Sequence, residues 1–241
     1  EALTKEPFHY CPGCMHGVAH RLIAEAIDEN GLINEIAGVA PVGCGVFAYK
    51  YFNFDMAEAA HGRAPAVATG IKRARPDMHV FTYQGDGDLA AIGTAEIVHA
   101  ANRGEKISVF FINNAIYGMT GGQMAPTTLP NMKTTTSPYG RNVEDIGYPI
   151  RVCELLSTLV APYYIERVSL LTSADIIKAK KAVEKAIRYN KENRGFTFVE
   201  FISTCPTNWG YEPEKARQWA KENMLPFFKP GVFRDKGEGV E

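Results

Sequence analysis

"YQGDGDLAAIG", residues 83–93, decides how the chain is read. It stands where a strand, "MHVFTYQ" (78–84), gives way to apolar residues at helical spacing in "LAAIGTAEIVHAANRG" (89–104). Gly85 and Gly87 let a ligand approach the backbone, and the following helix offers its positive N-terminus to phosphate. Asp86 points a carboxylate at the same phosphates, which repels unless a divalent cation lies between them. Magnesium suits that place, because it takes one or two oxygen ligands from side chains together with substrate phosphates. A Rossmann dinucleotide site is the weaker rival, since Gly85, Gly87 and Gly93 miss the G-x-G-x-x-G spacing.

Outward from this turn the chain alternates strands and helices. "HGVAHRLIAEAIDENG" reads as a helix stopped at Gly31, "IAGVAPVG" as a short buried strand, and "HGRAPAVATGIKRARPD" as a helix ended near Pro76. "ISVFFIN" (107–113) is a continuous β-branched and aromatic run, as in a parallel strand buried on both faces. After it come about thirty residues dense in Gly, Thr and Pro, and loops of that length are functional or disordered. A helix ("IRVCELLSTLV"), a strand ("YYIERV"), a long helix (173–193) and a last strand ("FTFVEFIS") complete the pattern. The expected class is α/β, an open, mostly parallel sheet with helices on both faces. Residues 1–230 read as a single domain and 231–241 as a polar C-terminal tail.

The 241 residues carry a formal net charge of −1 and 46% hydrophobic residues, so nothing favours nucleic acid or membrane as a partner. No apolar run approaches a membrane span, and "EALTKEPFHY" lacks the marks of a secretory signal. Five cysteines are too few for a disulfide scaffold. The expectation is a reducing, cytoplasmic setting, where clustered cysteines bind metal or do chemistry.

Asn114 follows Asp86 by one strand–helix–strand unit, which sets two strand ends side by side. Its amide oxygen, with the backbone carbonyl of Ile116, completes a protein ligand set for magnesium. Gly85-Asp86-Gly87 followed by Asn113-Asn114 resembles the signature of thiamine-diphosphate enzymes. The bland alternative is two turns that merely end two strands.

Cys11 and Cys14, in "FHYCPGCMHG", pose a separate question: a redox dithiol, half a zinc site or half an iron–sulfur site. Cys44 in "APVGCGVF" and Cys205 in "STCPTNWG" both follow strands and can join the pair at the same end of the sheet. A dithiol leaves them unexplained, while zinc with four thiolates is chemically sound. Cys153 lies among apolar helix residues and reads as a buried bystander.

Over nearly its whole length the chain resembles the β subunit of the 2-oxoacid:ferredoxin oxidoreductases. The resemblance rests on "CPGCMHG", "PVGC", "HGRAPAVATG", "QGDGDLAAIGTAEIVHAANRG", "INNAIYGMTGGQMAPTT" and "STCPTNWG" in this order. It implies a [4Fe–4S] cluster on Cys11, Cys14, Cys44 and Cys205 beside thiamine diphosphate and Mg²⁺. It further implies that Val42, Gly43, Cys44 and Gly45 pass close to the cofactor. Gly87, Asp88, Gly118 and Met119, with Gly85, are expected around its diphosphate and thiazole. The implied reaction is oxidative decarboxylation of a 2-oxoacid with coenzyme A to acyl-CoA and CO₂, with ferredoxin as acceptor. The carboxylate that activates thiamine is expected from an α subunit, in an assembly with γ and often a ferredoxin-like δ subunit. The chain alone is then inactive. Met119 stands where pyruvate enzymes carry Asn, which favours 2-oxoisovalerate, with 2-oxoglutarate as runner-up. His61 and Arg63, in "AAHGRAPA", are candidates for cofactor or substrate contact, although a helix-start histidine and an exposed arginine read equally well. A non-redox thiamine enzyme with structural zinc, and a non-catalytic scaffold, are the remaining alternatives.

Overall fold

The computed structural model describes residues 1–240. Among them seven strands form one sheet: β1 (Ile36–Ala40), β2 (Asp55–Glu58), β3 (His79–Gly85), β4 (Ser108–Asn113), β5 (Tyr164–Ser169), β6 (Thr197–Ile202) and β7 (Gly231–Asp235). Their order is β2-β1-β3-β4-β6-β5-β7. All neighbours are parallel except the β5–β7 pair. β4 lies at the centre, and its six residues are all buried. Phe110 belongs to the core on one face and Phe111 to the core on the other, the two-residue period of a strand covered on both sides.

Helices His16–Glu29 and Ser173–Lys191 cover one face of the sheet. Ala64–Ala74, Thr94–Asn102 and Val152–Ser157 cover the other. The long helix starts where Thr172 accepts a hydrogen bond from the Asp175 N–H at 3.1 Å, satisfying one of the free donors of the first turn. Cys153 is wholly buried in the second core, as its sequence setting suggests.

Two strands escape the sequence reading. β2, "DMAE", and β7, "GVFRD", are the outer strands, half-exposed and charged, so they lack the apolar run that marks the inner ones. The segment expected as a polar tail instead adds β7 to the sheet and turns back, with Val240 bridging Asp235. Lys185 and Tyr189 of the long helix hold the buried Asp235 carboxylate at 2.8 and 2.9 Å. A second difference lies at residues 87–92, expected to begin an ordinary helix at 89. Gly87–Ile92 forms a wide π-helical turn ahead of the regular helix. Such turns are frequent at functional sites.

Chain direction reverses between β1 and β3. β1 leads outward to β2, whereas β3 leads to β4 on its other side. The crevice outside the carboxyl ends of such strands is where open α/β sheets bind ligands.

Candidate active site

Asp86 ends β3 and is buried. Its Oδ1 accepts from the Gly87 N–H at 3.0 Å, and its Oδ2 accepts from the Ile116 N–H at 3.1 Å and the Thr127 hydroxyl at 2.8 Å. Burial nevertheless pushes its pKa up to about 7, against the pull of these hydrogen bonds. A carboxylate so placed calls for a cation. Across from it, the buried Asn114 Oδ1 has no hydrogen-bond partner in the protein. Buried amide oxygens seldom go unpaired, so this acceptor points to a ligand.

The backbone between these groups is shaped for the purpose. Ala115 holds φ 59°, a left-handed conformation that costs a non-glycine residue roughly 1–2 kcal/mol. Asn113 supports it: Oδ1 accepts from the Ala115 N–H at 3.2 Å, while Nδ2 donates to Glu200 at 2.8 Å. Glu200 pairs with the fully buried Arg167 at 2.9 Å, and Arg167 also meets Glu154 at 2.6 Å. Gly87 must be glycine, because a Cβ there would fall 2.0 Å from the Tyr117 ring.

A cavity opens between Asp86 and Asn114. Val42, Gly43, Cys44 and Gly45 line it from the β1 end, Gly85, Gly87 and Asp88 from β3, and Ile116, Gly118 and Met119 from β4. Asp88 contributes differently from what its position suggests, since both its oxygens are engaged within the protein. Oδ1 accepts from the Val42 N–H (3.1 Å), the Gly62 N–H (3.0 Å) and His61 Nδ1 (2.7 Å), and Oδ2 from Gln84 (2.7 Å). It holds the cavity wall together. A carboxylate only accepts, so the proton sits on His61 Nδ1 and Nε2 is left for the cavity. Arg63 does not line the cavity; it pairs with Glu96.

A second cavity brings together Cys11, Cys14, Cys44 and Cys205. Cys44, His16, Asn114, Gly118 and Met119 line both cavities and form their common wall. A Cβ on Gly118 would stand 3.1 Å from the Cys44 sulfur and 3.5 Å from that of Cys205. The Cys-Pro-Gly-Cys loop is a tight turn closed by Cys14 N–H to Cys11 O at 3.0 Å, and Thr204 ties its Gly13 carbonyl to the end of β6 at 2.6 Å. One of these sulfurs receives a side-chain donor: Cys205 accepts from Asn208 Nδ2 at 3.4 Å. Burial, reinforced by the neighbouring cysteines, pushes the Cys14 and Cys44 thiols up to about 12. A reactive dithiol needs the opposite shift, so the redox-pair reading loses ground. Among the described residues no three His, Cys, Asp or Glu side chains converge as ligands of a single metal ion do.

The sequence reading missed several supports. Thr127 reaches Asp86 from the long loop, and Arg141 staples that loop by donating to five backbone carbonyls between Ala125 and Tyr148. The loop is therefore packed against the site. His16 was visible only as the start of a helix, and the one available signal was its place two residues after Cys14.

The family model described as "Thiamine pyrophosphate enzyme, C-terminal TPP binding domain" matches residues 42–201, from the turn after β1 into β6. The 2-oxoglutarate synthase subunit KorB of Methanocaldococcus jannaschii is 37% identical, over 91% of this chain and 79% of its own length. The chain belongs to the thiamine-diphosphate-binding subunits of the 2-oxoacid:ferredoxin oxidoreductases. Within that family, the ketoisovalerate oxidoreductase subunits VorA of Methanothermobacter thermautotrophicus and Methanothermobacter marburgensis are 52% and 53% identical over 97% of this chain. The chain spans about half the length of these two relatives, 49% of each. A solved 2-oxoglutarate:ferredoxin oxidoreductase from Magnetococcus marinus, with 2-oxoglutarate, coenzyme A and succinyl-CoA bound, superposes with a TM-score of 0.78 at 26% identity. The superposition covers 97% of this chain and 83% of that one.

Proposed function

We propose that this chain holds thiamine diphosphate and a [4Fe–4S] cluster in an enzyme that oxidatively decarboxylates a 2-oxoacid, passing electrons to ferredoxin and the acyl group to coenzyme A. The observation that carries the reading is the orphaned Asn114 Oδ1, buried opposite Asp86 in a cavity that shares a wall with four cysteines. Asp86, Asn114 and the Ile116 carbonyl would hold Mg²⁺ on the diphosphate. Gly85 and Gly87 admit it, and His61, fixed by Asp88, offers Nε2 to a ligand in the same cavity. Cys11, Cys14, Cys44 and Cys205 would hold the cluster. Four thiols lining one cavity supply the number of sulfur ligands that such a cluster takes. Thiamine diphosphate, when bound, supplies the electron sink for decarboxylation. This chain's residues would bind and orient it, with the electron acceptor across the shared wall.

The carboxylates lining the thiamine cavity, Asp86 and Asp88, are both committed to protein hydrogen bonds. We propose that an α subunit supplies the carboxylate that activates thiamine, with γ and δ chains completing a cytoplasmic assembly. No helix among the described residues is long and apolar enough to cross a membrane.

For the substrate we favour 2-oxoisovalerate. Met119, 53% exposed, offers an apolar, adaptable side chain to both cavities, and the two ketoisovalerate relatives share more identity than the 2-oxoglutarate ones. The 2-oxoglutarate reading is second, supported by the solved structure and the KorB relatives. Anaerobic purification with partner chains, followed by iron, sulfide and thiamine analysis, tests the cofactors. Viologen reduction by a panel of 2-oxoacids, with and without coenzyme A, tests the reaction. Four iron and one thiamine per chain, with 2-oxoisovalerate fastest and dependent on coenzyme A, is the expected result. Zinc in place of iron would overturn the redox role.

A further inference from the structure

His16 opens the helix that follows the Cys-Pro-Gly-Cys loop, is 2% exposed, and lines both cavities. Its Nδ1 lies 2.6 Å from the Tyr83 hydroxyl. Tyr83 is fully buried in β3, and its hydroxyl meets no other hydrogen-bond partner among the described residues. If Nδ1 carried the hydrogen, the Tyr83 O–H would be a buried donor with no acceptor, a state folded proteins avoid. Tyr83 therefore donates to Nδ1, and the neutral imidazole keeps its proton on Nε2. Tyr10 fixes the plane of the ring: it stacks on His16 with centroids 4.8 Å apart and a 12° tilt, while its own hydroxyl is taken by His20 at 2.6 Å. What remains for Nε2–H is the wall that His16 shares with Cys44 and Gly118.

We propose that His16 donates its Nε2–H to the sulfurs of the cysteine-held centre on the other side of that wall, and that Tyr83 is the residue that positions it. This inference rests on the iron–sulfur reading above. A donor aimed at sulfur stabilises the more negative, reduced centre and so raises its reduction potential. Asn208 Nδ2 already donates to Cys205, so His16 adds a second side-chain donor, from the wall shared with the thiamine cavity.

The test is a mediated redox titration of the anaerobically purified complex, followed by electron paramagnetic resonance. His16→Leu, His16→Gln and Tyr83→Phe are compared with wild type. His16→Leu is expected to make the reduced centre about tenfold less populated at a fixed poise, a midpoint lower by ~59 mV for one electron. His16→Gln, which keeps a donor, restores most of the loss, and Tyr83→Phe falls between, with iron content and thiamine affinity unchanged in all three. An unchanged midpoint in His16→Leu, with weaker thiamine binding, would show that the donor serves the other cavity and overturns the proposal. So would nitrogen-15 spectra of the histidine-labelled chain, before cofactor loading, that place the His16 proton on Nδ1. A wild-type complex without iron or sulfide sinks the cluster reading itself, and the nitrogen-15 result then stands as a judgement on the tautomer alone.

Discussion

The two cavities share a wall but are built in opposite ways. The carboxylate cavity is assembled from the tips of adjacent strands β1, β3 and β4, and its Asp86 and Asn114 lie within one strand–helix–strand unit. The cysteine cavity collects residues from the N-terminal loop, the β1 tip and the β6 tip, segments far apart in sequence. Strand pairing alone places Asp86 beside Asn114. Only the closure of the whole domain places Cys11 beside Cys205, and Thr204 bonded to Gly13 is the visible clasp. The first site therefore depends on the sheet interior, and the second on how its coverings dock.

The sharpest way to break this contrast is through Arg167. It is fully buried, and Glu200 and then Asn113 connect it to the turn that aims Asn114. Arg167→Leu leaves Glu200 charged and unpaired in the interior, at a cost of about 3–5 kcal/mol in unfolding free energy. Chemical denaturation measures the loss, and thiamine affinity should fall while any iron retained stays on the cysteines. Equal damage to both sites would show that they are not separable.

Asp86→Ala acts on one cavity only. Binding of Mg²⁺–thiamine diphosphate, followed by calorimetry, should weaken by about 100-fold, roughly 2.7 kcal/mol, with iron content unaltered. Thr127→Val removes one hydrogen bond to that buried carboxylate and keeps the shape, so about 1.5 kcal/mol of the same binding energy should go. An unaltered affinity would mean that the long loop does not support the site.

The smallest effect concerns acid, and here the regions differ in sign. Burial holds the pKa of His20, behind the cysteine cavity, well below 6.5. The unfolded chain binds a proton there that the folded chain refuses, so stability is full above pH 6.5 and declines below it, by about 1.4 kcal/mol per pH unit. Asp86, raised to about 7, acts the other way: between its unfolded and folded pKa values, stability of the metal-free chain falls as pH rises. The readout is thus a difference of slopes. Between pH 5.5 and 6.5, His20→Gln should lose about 1 kcal/mol of the wild-type dependence on rising pH, and parallel lines would refute the assignment.

Much of the architecture could be read from the chain because inner strands are buried on both faces. "ISVFFIN" and "FTFVEFIS" have few competing interpretations. The outer strands could not be read so, since β2 and β7 are short and half-exposed, and no periodicity separates them from loop. The π-helical turn at Gly87–Ile92 was hidden for a different reason: its composition suits an ordinary helix, and the widening comes with the Tyr117 ring lying against Gly87.

Sequence alone determined the chemical inventory of this protein: Gly-Asp-Gly at one strand end, Asn-Asn at the next, and cysteines placed after strands and before a helix. These patterns are local, and backbone geometry ties them to strand tips without knowledge of the rest. Tertiary structure alone decided that Asp88 braces the cavity wall it lines, that Arg63 pairs with Glu96 outside the cavity, and that His16 stands between the two cavities. Those outcomes depend on which partners burial brings within about 3 Å, and hydrogen bonds are that short-ranged.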